Sequence, residues 1–164
     1  MAIRNEGFTI IEMMVVLAIV AILAMMALPS YQNKFVREQI AEALSLADIA
    51  EKPIAASWAG TQTLPADNAA AGLPPAKKIV SNLVDSVRIE QGVIHMRFGN
   101  SANGLIKGKT LSLRPAVVSD APIVPVAWIC GYAAAPQKMS LLGINKTDIP
   151  SEFLPQKCRA GTVH

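Results

Sequence analysis

The residue whose position most clearly suggests chemistry is Glu12, an acid near the start of a long apolar segment. From Met13 to Leu28 there are sixteen residues, and none of them is polar. A carboxylate inside an apolar helix costs about 2.5–3.5 kcal/mol on insertion scales, and such residues are functional candidates. Glu12 is therefore a candidate functional residue; the alternative is an accidental acid near a membrane interface.

Few other residues in the chain have a spacing that suits catalysis or metal binding. The two histidines, His95 and His164, lie in no metal-ligand spacing. The sequence has no glycine-rich phosphate loop and no G-x-S-x-G motif. We expect no enzyme activity, no cofactor and no metal, and we expect His95 to be an exposed strand residue. The triplet 145–147 matches an N-glycosylation acceptor, a short pattern that often occurs by chance.

The chain contains two cysteines, Cys130 and Cys158. They can form a disulfide if the segment after the apolar run lies outside the cytoplasm, and otherwise they are two unrelated buried thiols. The chain-entropy model gives about 3.6 kcal/mol for the loop that such a bond would close. A contribution of that size would be a large part of the free energy of unfolding of a small domain.

The segment around Glu12 has the length of a membrane-spanning helix. Only two polar residues interrupt the apolar run 8–28, and a helix of that length is about 30 Å long, close to the thickness of a bilayer core. Arg4 and the amino terminus place positive charge before it, which predicts a cytoplasmic N-terminus. No Ala-x-Ala site follows the run, so if the chain is cleaved we expect the cut after Gly7.

The remainder of the chain is long enough for one small domain. The chain has 164 residues, of which 52% are hydrophobic and 5% aromatic, so the core must consist mainly of aliphatic side chains. Its net charge of +3 is only mildly basic and does not by itself indicate an anionic partner.

Apolar residues recur at helical spacing after the membrane segment, and they predict that the helix continues from Ser30 to about Ala59 against a globular head. The residues of this stripe are Val36, Ile40, Ala43, Ala47, Ala50 and Ile54. Pro29 and Pro53 should bend the helix, because each removes a backbone donor and clashes with the preceding turn.

Alternating apolar residues predict four strands after a loop at 60–78. The first two form a hairpin around residues 91–92, and further strands are expected at about 109–117 and 124–132. The hairpin would pair Ile89 with Ile94, Val87 with Met96 and Arg88 with His95. The predicted fold class is therefore α+β, with a long N-terminal helix packed on a four-stranded antiparallel sheet.

The segment Gly7–Glu12, the apolar helix and the segment 29–32 together resemble the N-terminus of type IV pilins of the type IVa class. In that family a prepilin peptidase cuts after the glycine and methylates the new amino terminus. The resemblance implies that Gly7 is the cleavage residue, Phe8 the N-methylated residue and Glu12 the buried acid of assembly. It also implies a helix kink at Pro29.

In pilins a disulfide joins the C-terminal loop to the last strand, and the resemblance implies this pairing for Cys130 and Cys158. One departure is Ala21, where a glycine is common midway along the apolar helix of the family. Alanine favours a helix by about 1 kcal/mol over glycine. We therefore expect this helix to stay more continuous in a fibre than one that carries the glycine.

The resemblance divides the chain into a leader at 1–7, a transmembrane and polymerisation helix at 8–29, and a head at 30–164. It implies a structural subunit of a surface fibre used for adhesion, twitching motility or DNA uptake. The implied partners are further copies, the prepilin peptidase, the assembly machinery and inner-membrane lipid before assembly. The implied location is the inner membrane and then the surface of a Gram-negative bacterium.

Glu12 lies one helical turn from Phe8, so its carboxylate could pair with a free amino terminus at Phe8 within one chain. Pairing across chains would instead set the stagger of the next subunit, and we favour that interpretation. Removing one partner of such a buried pair typically costs about 3–5 kcal/mol.

Two other functions fit the same N-terminal motif. A pseudopilin of type II secretion usually has a calcium-binding C-terminal loop and no cysteine pair. Here the loop predicted at 143–157, which we call the late loop, has only two acidic residues, Asp148 and Glu152. A minor pilin could instead bind DNA for natural transformation, through a stripe of basic residues. The candidate residues are Lys77, Lys78, Arg88, Arg97, Lys107, Lys109, Arg114, Lys138, Lys146, Lys157 and Arg159.

Overall fold

The structure is a computed structural model that describes residues 7–161, with the backbone alone at residues 27–30. The chain divides into two units, Met1–Phe35 and Val36–His164. The predictions that concern Arg4, His164 and the side chain of Pro29 lie outside the described parts of the chain.

The chain is helical from residue 10 to residue 61, as the sequence predicts. Helix α1 spans Ile10–Leu44, a short 3-10 turn spans Ser45–Ala47, and helix α2 spans Asp48–Thr61. At the 3-10 turn the Ser45 hydroxyl donates to the Glu42 carbonyl at 2.8 Å. The helices continue through Pro29 and Pro53, and the bends expected at these prolines stay predictions.

One face of the helix in the second unit is buried in the core. All six residues of the predicted stripe are at most 3% exposed, which confirms the register of this face. Leu44 and Trp58 are buried as well, and the sequence pattern did not single them out. Each large apolar side chain buried in this way contributes about 1.5–3 kcal/mol.

The described chain contains the strands β1 Val84–Glu90, β2 Val93–Phe98, β3 Thr110–Val117, β4 Ala127–Cys130 and β5 Ser140–Leu141. They form an antiparallel sheet whose main path runs in the order β1-β2-β3-β4. The two-residue strand β5 pairs with β3, and the sequence did not predict it.

The first hairpin has the register that the sequence predicts. Ile89 faces Ile94, Val87 faces Met96, and Arg88 faces His95. Its turn residues Gln91 and Gly92 both have positive φ, at 50° and 78°, as a tight two-residue turn of this hand requires.

The sheet carries apolar residues on both of its faces. The main core lies between the sheet and the helices and includes Met96, Leu111 and Leu113. A smaller cluster contains Ala116 and Ile129. The partly buried Trp128 and the buried Cys130 pack with the main core, whereas Ile129 between them belongs to the smaller cluster.

The outer edge of β1 is covered by the loop that precedes it. The Asn68 side-chain amide donates to the Val87 carbonyl at 3.0 Å and accepts from the Ile89 amide at 2.9 Å. Gln91 donates its amide hydrogen to the Ala66 carbonyl at 3.1 Å. This edge is therefore protected against the addition of another strand.

Candidate assembly site

Helix α1 begins with a capping interaction that involves the candidate acid. The Glu12 amide donates to the Thr9 hydroxyl at 3.3 Å, and the Met13 amide donates to the Thr9 carbonyl at 3.2 Å. Thr9 is thus the N-cap and Glu12 the third residue of the helix. The T-x-x-E spacing is the signal by which the sequence could have shown this start.

The structure brings the three N-terminal site residues together. Gly7, Phe8 and Glu12 line one shallow hollow together with Thr9. Phe8 is 77% exposed and the Glu12 side chain is also exposed. A Cβ added at Gly7 would have no other described atom within 4 Å.

The described side chains in the apolar part of α1, at residues 10–26, are exposed in the single chain. It is the one helix among the described residues that is long and apolar enough to cross a membrane, and no residue of its best window is buried. At about 25 cal/mol per Å² of apolar surface, leaving such a helix in water is strongly unfavourable. It must therefore be covered by lipid or by other protein chains.

The two cysteines form a disulfide between β4 and the C-terminal segment. Cys130 is the last residue of β4, and Cys158 ends the short 3-10 turn Gln156–Cys158. Both are buried, and the Tyr132 amide donates to the Cys158 carbonyl at 2.9 Å. The bond therefore fastens the C-terminal loop to the last long strand, as expected.

Four of the candidate basic residues line one groove, whose volume is about 310 Å³. We call it the β1–β2 groove; the four residues are Lys77, Arg88, Arg97 and Lys146.

Carboxylates accompany three of these four cations. Glu90 lies 3.9 Å from Arg88 and accepts a hydrogen bond from Lys146, and this hydrogen bond lowers the pKa of Glu90. Asp85 lies 3.5 Å from Arg97. The groove is therefore only moderately positive.

The expectation that His95 is an exposed strand residue is wrong, since its exposed fraction is 6%. Its Nδ1 lies 2.9 Å from the Ser112 hydroxyl, and that hydroxyl accepts a hydrogen bond from the Lys146 amide. The late loop thus crosses the sheet above His95. Burial lowers the pKa of His95, although nearby Glu90 acts in the opposite direction.

The glycosylation-like triplet has a structural role in this loop. The Asn145 amide donates to the Gly131 carbonyl at 2.8 Å, and its oxygen accepts from the Thr147 amide. Thr147 in turn accepts from the Ser112 amide at 3.0 Å. The Asn145 side chain therefore holds the loop to Gly131 at the end of β4, and the Thr147 side chain holds it to β3.

Within residues 7–161, no group of three or more His, Cys, Asp or Glu side chains is arranged to hold a metal ion. The described chain has three other notable features: an exposed apolar helix, the T-x-x-E motif at the start of that helix, and a head closed by a disulfide.

Family models match both parts of this arrangement. The model described as "Pilin (bacterial filament)" matches residues 36–159, and the model of the prokaryotic N-terminal methylation motif matches residues 3–28. The chain belongs to the pilin family of bacterial filament proteins.

Relatives in several bacteria have similar sequences over nearly their whole length. A type IV major pilin protein, PilE, of Neisseria gonorrhoeae is 39% identical over 94% of both chains. A fimbrial protein of Neisseria meningitidis serogroup B is 34% identical, again over 94% of both chains. The fimbrial protein EcpC of Eikenella corrodens is 34% identical over 94% of this chain and 91% of the relative.

Proposed function

We propose that the chain is a structural subunit of a type IV pilus that polymerises through its N-terminal apolar helix. The observation that carries this proposal is that none of the helix window that could span a membrane is buried within the chain. The head, in contrast, has its own core and disulfide. The relatives named as fimbrial proteins and type IV major pilins support the same function.

The proposal includes processing at the N-terminus. A prepilin peptidase cuts between Gly7 and Phe8 and methylates Phe8, and the residues 1–7 are the leader that is removed. The match to the N-terminal methylation motif supports this step. The segment 8–29 then acts as the membrane and polymerisation helix, and the residues 30–164 form the head.

Mass spectrometry of material sheared from the cell surface tests both parts of the proposal. The expected result is a chain that begins at N-methylated Phe8 and is recovered in fibres. An intact chain that begins at Met1 and stays in the membrane fraction would instead identify a plain single-pass anchor.

The same helix supports the membrane part of the proposed location. The subunit is stored in the inner membrane of a Gram-negative bacterium, where lipid covers the apolar side chains, and is then moved into a surface fibre by the assembly machinery. Adhesion, twitching motility and DNA uptake would be properties of that fibre.

Direct DNA binding has one feature in its favour, the β1–β2 groove with its four basic residues. Glu90 and Asp85 neutralise part of that charge, so we do not assign DNA as the partner of a single head. A gel-shift series of the full chain in detergent at rising salt tests this, because phosphate contacts weaken steeply with salt. Binding at low salt that disappears as salt rises would reinstate DNA as a partner.

A further inference from the structure

A second opening lies on the helix side of β4, at the end of the strand order opposite to β1. We call it the α2–β4 cleft; its volume is about 470 Å³. The side chains that give it chemical character are Asp48, Glu51, Trp128 and Lys157.

The α2–β4 cleft has the groups that bind a guanidinium ion. Asp48 and Glu51 are three residues apart on α2, so their carboxylates lie on the same side of the helix. Trp128 lines the same cleft and is half-buried. An indole ring beside carboxylates favours arginine, which stacks on aromatic faces and forms paired hydrogen bonds with carboxylates.

The charges in the α2–β4 cleft are not balanced. Burial, and then the neighbouring Asp48, raise the pKa of Glu51, whereas Lys157 lowers it. One ammonium group thus accompanies two carboxylates. A further cation that enters the cleft would relieve the repulsion between Asp48 and Glu51.

The β1–β2 groove at the other edge of the same head offers such a cation. The Arg88 side chain is 68% exposed, and its neighbouring carboxylate Glu90 is 3.9 Å away. That distance is too long for a hydrogen bond. Exposed ion pairs of this kind contribute little, so Arg88 can change partners without a large loss.

We propose that the α2–β4 cleft of one head receives Arg88 from the β1–β2 groove of a second copy. The contact joins two different surfaces of identical subunits, and such a head-to-tail contact can repeat along an open helical polymer. This inference rests on the proposed pilus function, and it adds an electrostatic contact between heads to the packing of the apolar helices.

Charge reversal in the full-length chain, expressed in cells that assemble it into fibres, tests this contact. Arg88→Glu and Asp48→Arg should each reduce the fraction of sheared subunit that stays in sedimentable fibres. We expect about a fivefold weakening of the subunit contact for each change. The double variant, which exchanges the two charges, should recover most of the loss.

Matched controls make the same charge changes outside the two openings. Lys78 is exposed and lies next to Lys77 without lining the groove, and Asp120 is exposed in the loop before β4. Lys78→Glu and Asp120→Arg should leave the fibres unchanged. Chemical unfolding of each variant in detergent shows whether a variant forms fewer fibres because its head is less stable.

The double variant is the decisive readout, because Asp48 also lies in the first turn of α2, where a carboxylate is favoured by the helix dipole. If Arg88→Glu and Asp48→Arg each reduce the fraction of subunit in fibres and the double variant does not restore it, the proposed pairing is wrong. It is also wrong if these two variants form fibres as well as the Lys78 and Asp120 controls do. If the unchanged chain forms no fibres at all, the proposed function itself is wrong.

Discussion

At the residue scale, Gly131 lies close to the backbone of Cys158, one of the two disulfide residues. Its φ is +56°, and a Cβ at this position would lie 2.8 Å from the Cys158 carbonyl oxygen. A side chain here would be strained by both the backbone conformation and the contact. The C-terminal loop can therefore lie against β4 only because residue 131 is glycine.

We predict that Gly131→Ala destabilises the head by about 1–3 kcal/mol. The measurement is chemical unfolding of the oxidised full-length chain in detergent. Gly60→Ala is the matched control, because Gly60 lies in α2 with no atom near the added Cβ. The control should be about 0.5–1 kcal/mol more stable than the original chain, and equal effects of the two changes would contradict this account.

His95 predicts a pH dependence of stability. Burial lowers its pKa in the folded state, so the unfolded chain takes up a proton first as the pH falls. Its stabilising contribution is therefore complete above the unfolded pKa of about 6.5 and is lost as the pH falls below that value. The groups that face it are Glu90, Arg88, Lys146 and the Ser112 hydroxyl.

The measurement is the free energy of unfolding between about pH 7.5 and pH 5, the range in which histidine titrates. His95→Gln should have a smaller slope in this range than the original chain. A His95→Gln curve parallel to that of the original chain would contradict the role of His95.

At the element scale, the C-terminal segment depends on the disulfide for its position. The short turn Gln156–Cys158 follows a long loop, and its Cys158 carbonyl accepts from the Tyr132 amide. The sequence separation across the bond is 28 residues. Such a loop loses much conformational freedom when it is closed, chiefly in the unfolded chain.

We predict that Cys158→Ser lowers the free energy of unfolding by about 3–4 kcal/mol, the loop-closure value for this separation. Denaturant unfolding with and without reductant measures it. The reductant should destabilise the original chain by a similar amount and should leave the variant unchanged. If the reductant does not change the free energy of unfolding of the original chain, the disulfide contributes little to its stability.

Elements with a clear hydrophobic period could be predicted from the sequence alone. The stripe from Val36 to Ile54 and the hairpin around residues 91–92 are found where the pattern placed them. In both cases the spacing of apolar residues along the chain decides the structure. Apolar residues at helical spacing share one face of a helix, and alternating apolar residues share one face of a strand, and that face is buried.

Features that depend on distant contacts were not predicted. Asn68 covers the edge of β1 from a loop 19 residues away, and His95 is buried by the late loop around Lys146. No local pattern marks either contact. The 3-10 turn Ser45–Ala47 lies within a helical sequence that gives no sign of an interruption.

At the scale of the whole molecule, the two units differ in how they satisfy their apolar side chains. The head buries its own core, whereas the apolar helix has none of its window buried. The same helix surface can be covered by lipid before assembly and by neighbouring helices afterwards. We propose that Glu12 takes part in assembly, because a carboxylate that is packed among helices and away from water needs a charged or hydrogen-bonding partner.

We predict that Glu12→Ala gives a processed, membrane-resident chain that assembles poorly, because the partner that we propose for Glu12, the methylated amino terminus of Phe8 in the next subunit, would be left unpaired. Glu12→Gln should behave like Glu12→Ala, since it keeps the size of the side chain without its charge. Immunoblots of sheared fibres and of membranes measure the two pools. Fibres of normal length and number from either variant would show that the charge has no role in assembly.

Thr9→Val separates this role from helix capping. The Thr9 hydroxyl accepts the Glu12 amide, and loss of an N-cap costs about 1 kcal/mol, which is small for a helix as long as Ile10–Leu44. Thr9→Val should therefore assemble nearly normally. If Thr9→Val assembles as poorly as Glu12→Ala, then Thr9 and Glu12 act by fixing the start of the helix. A charge pair between subunits would then not be needed to explain the effect of Glu12→Ala.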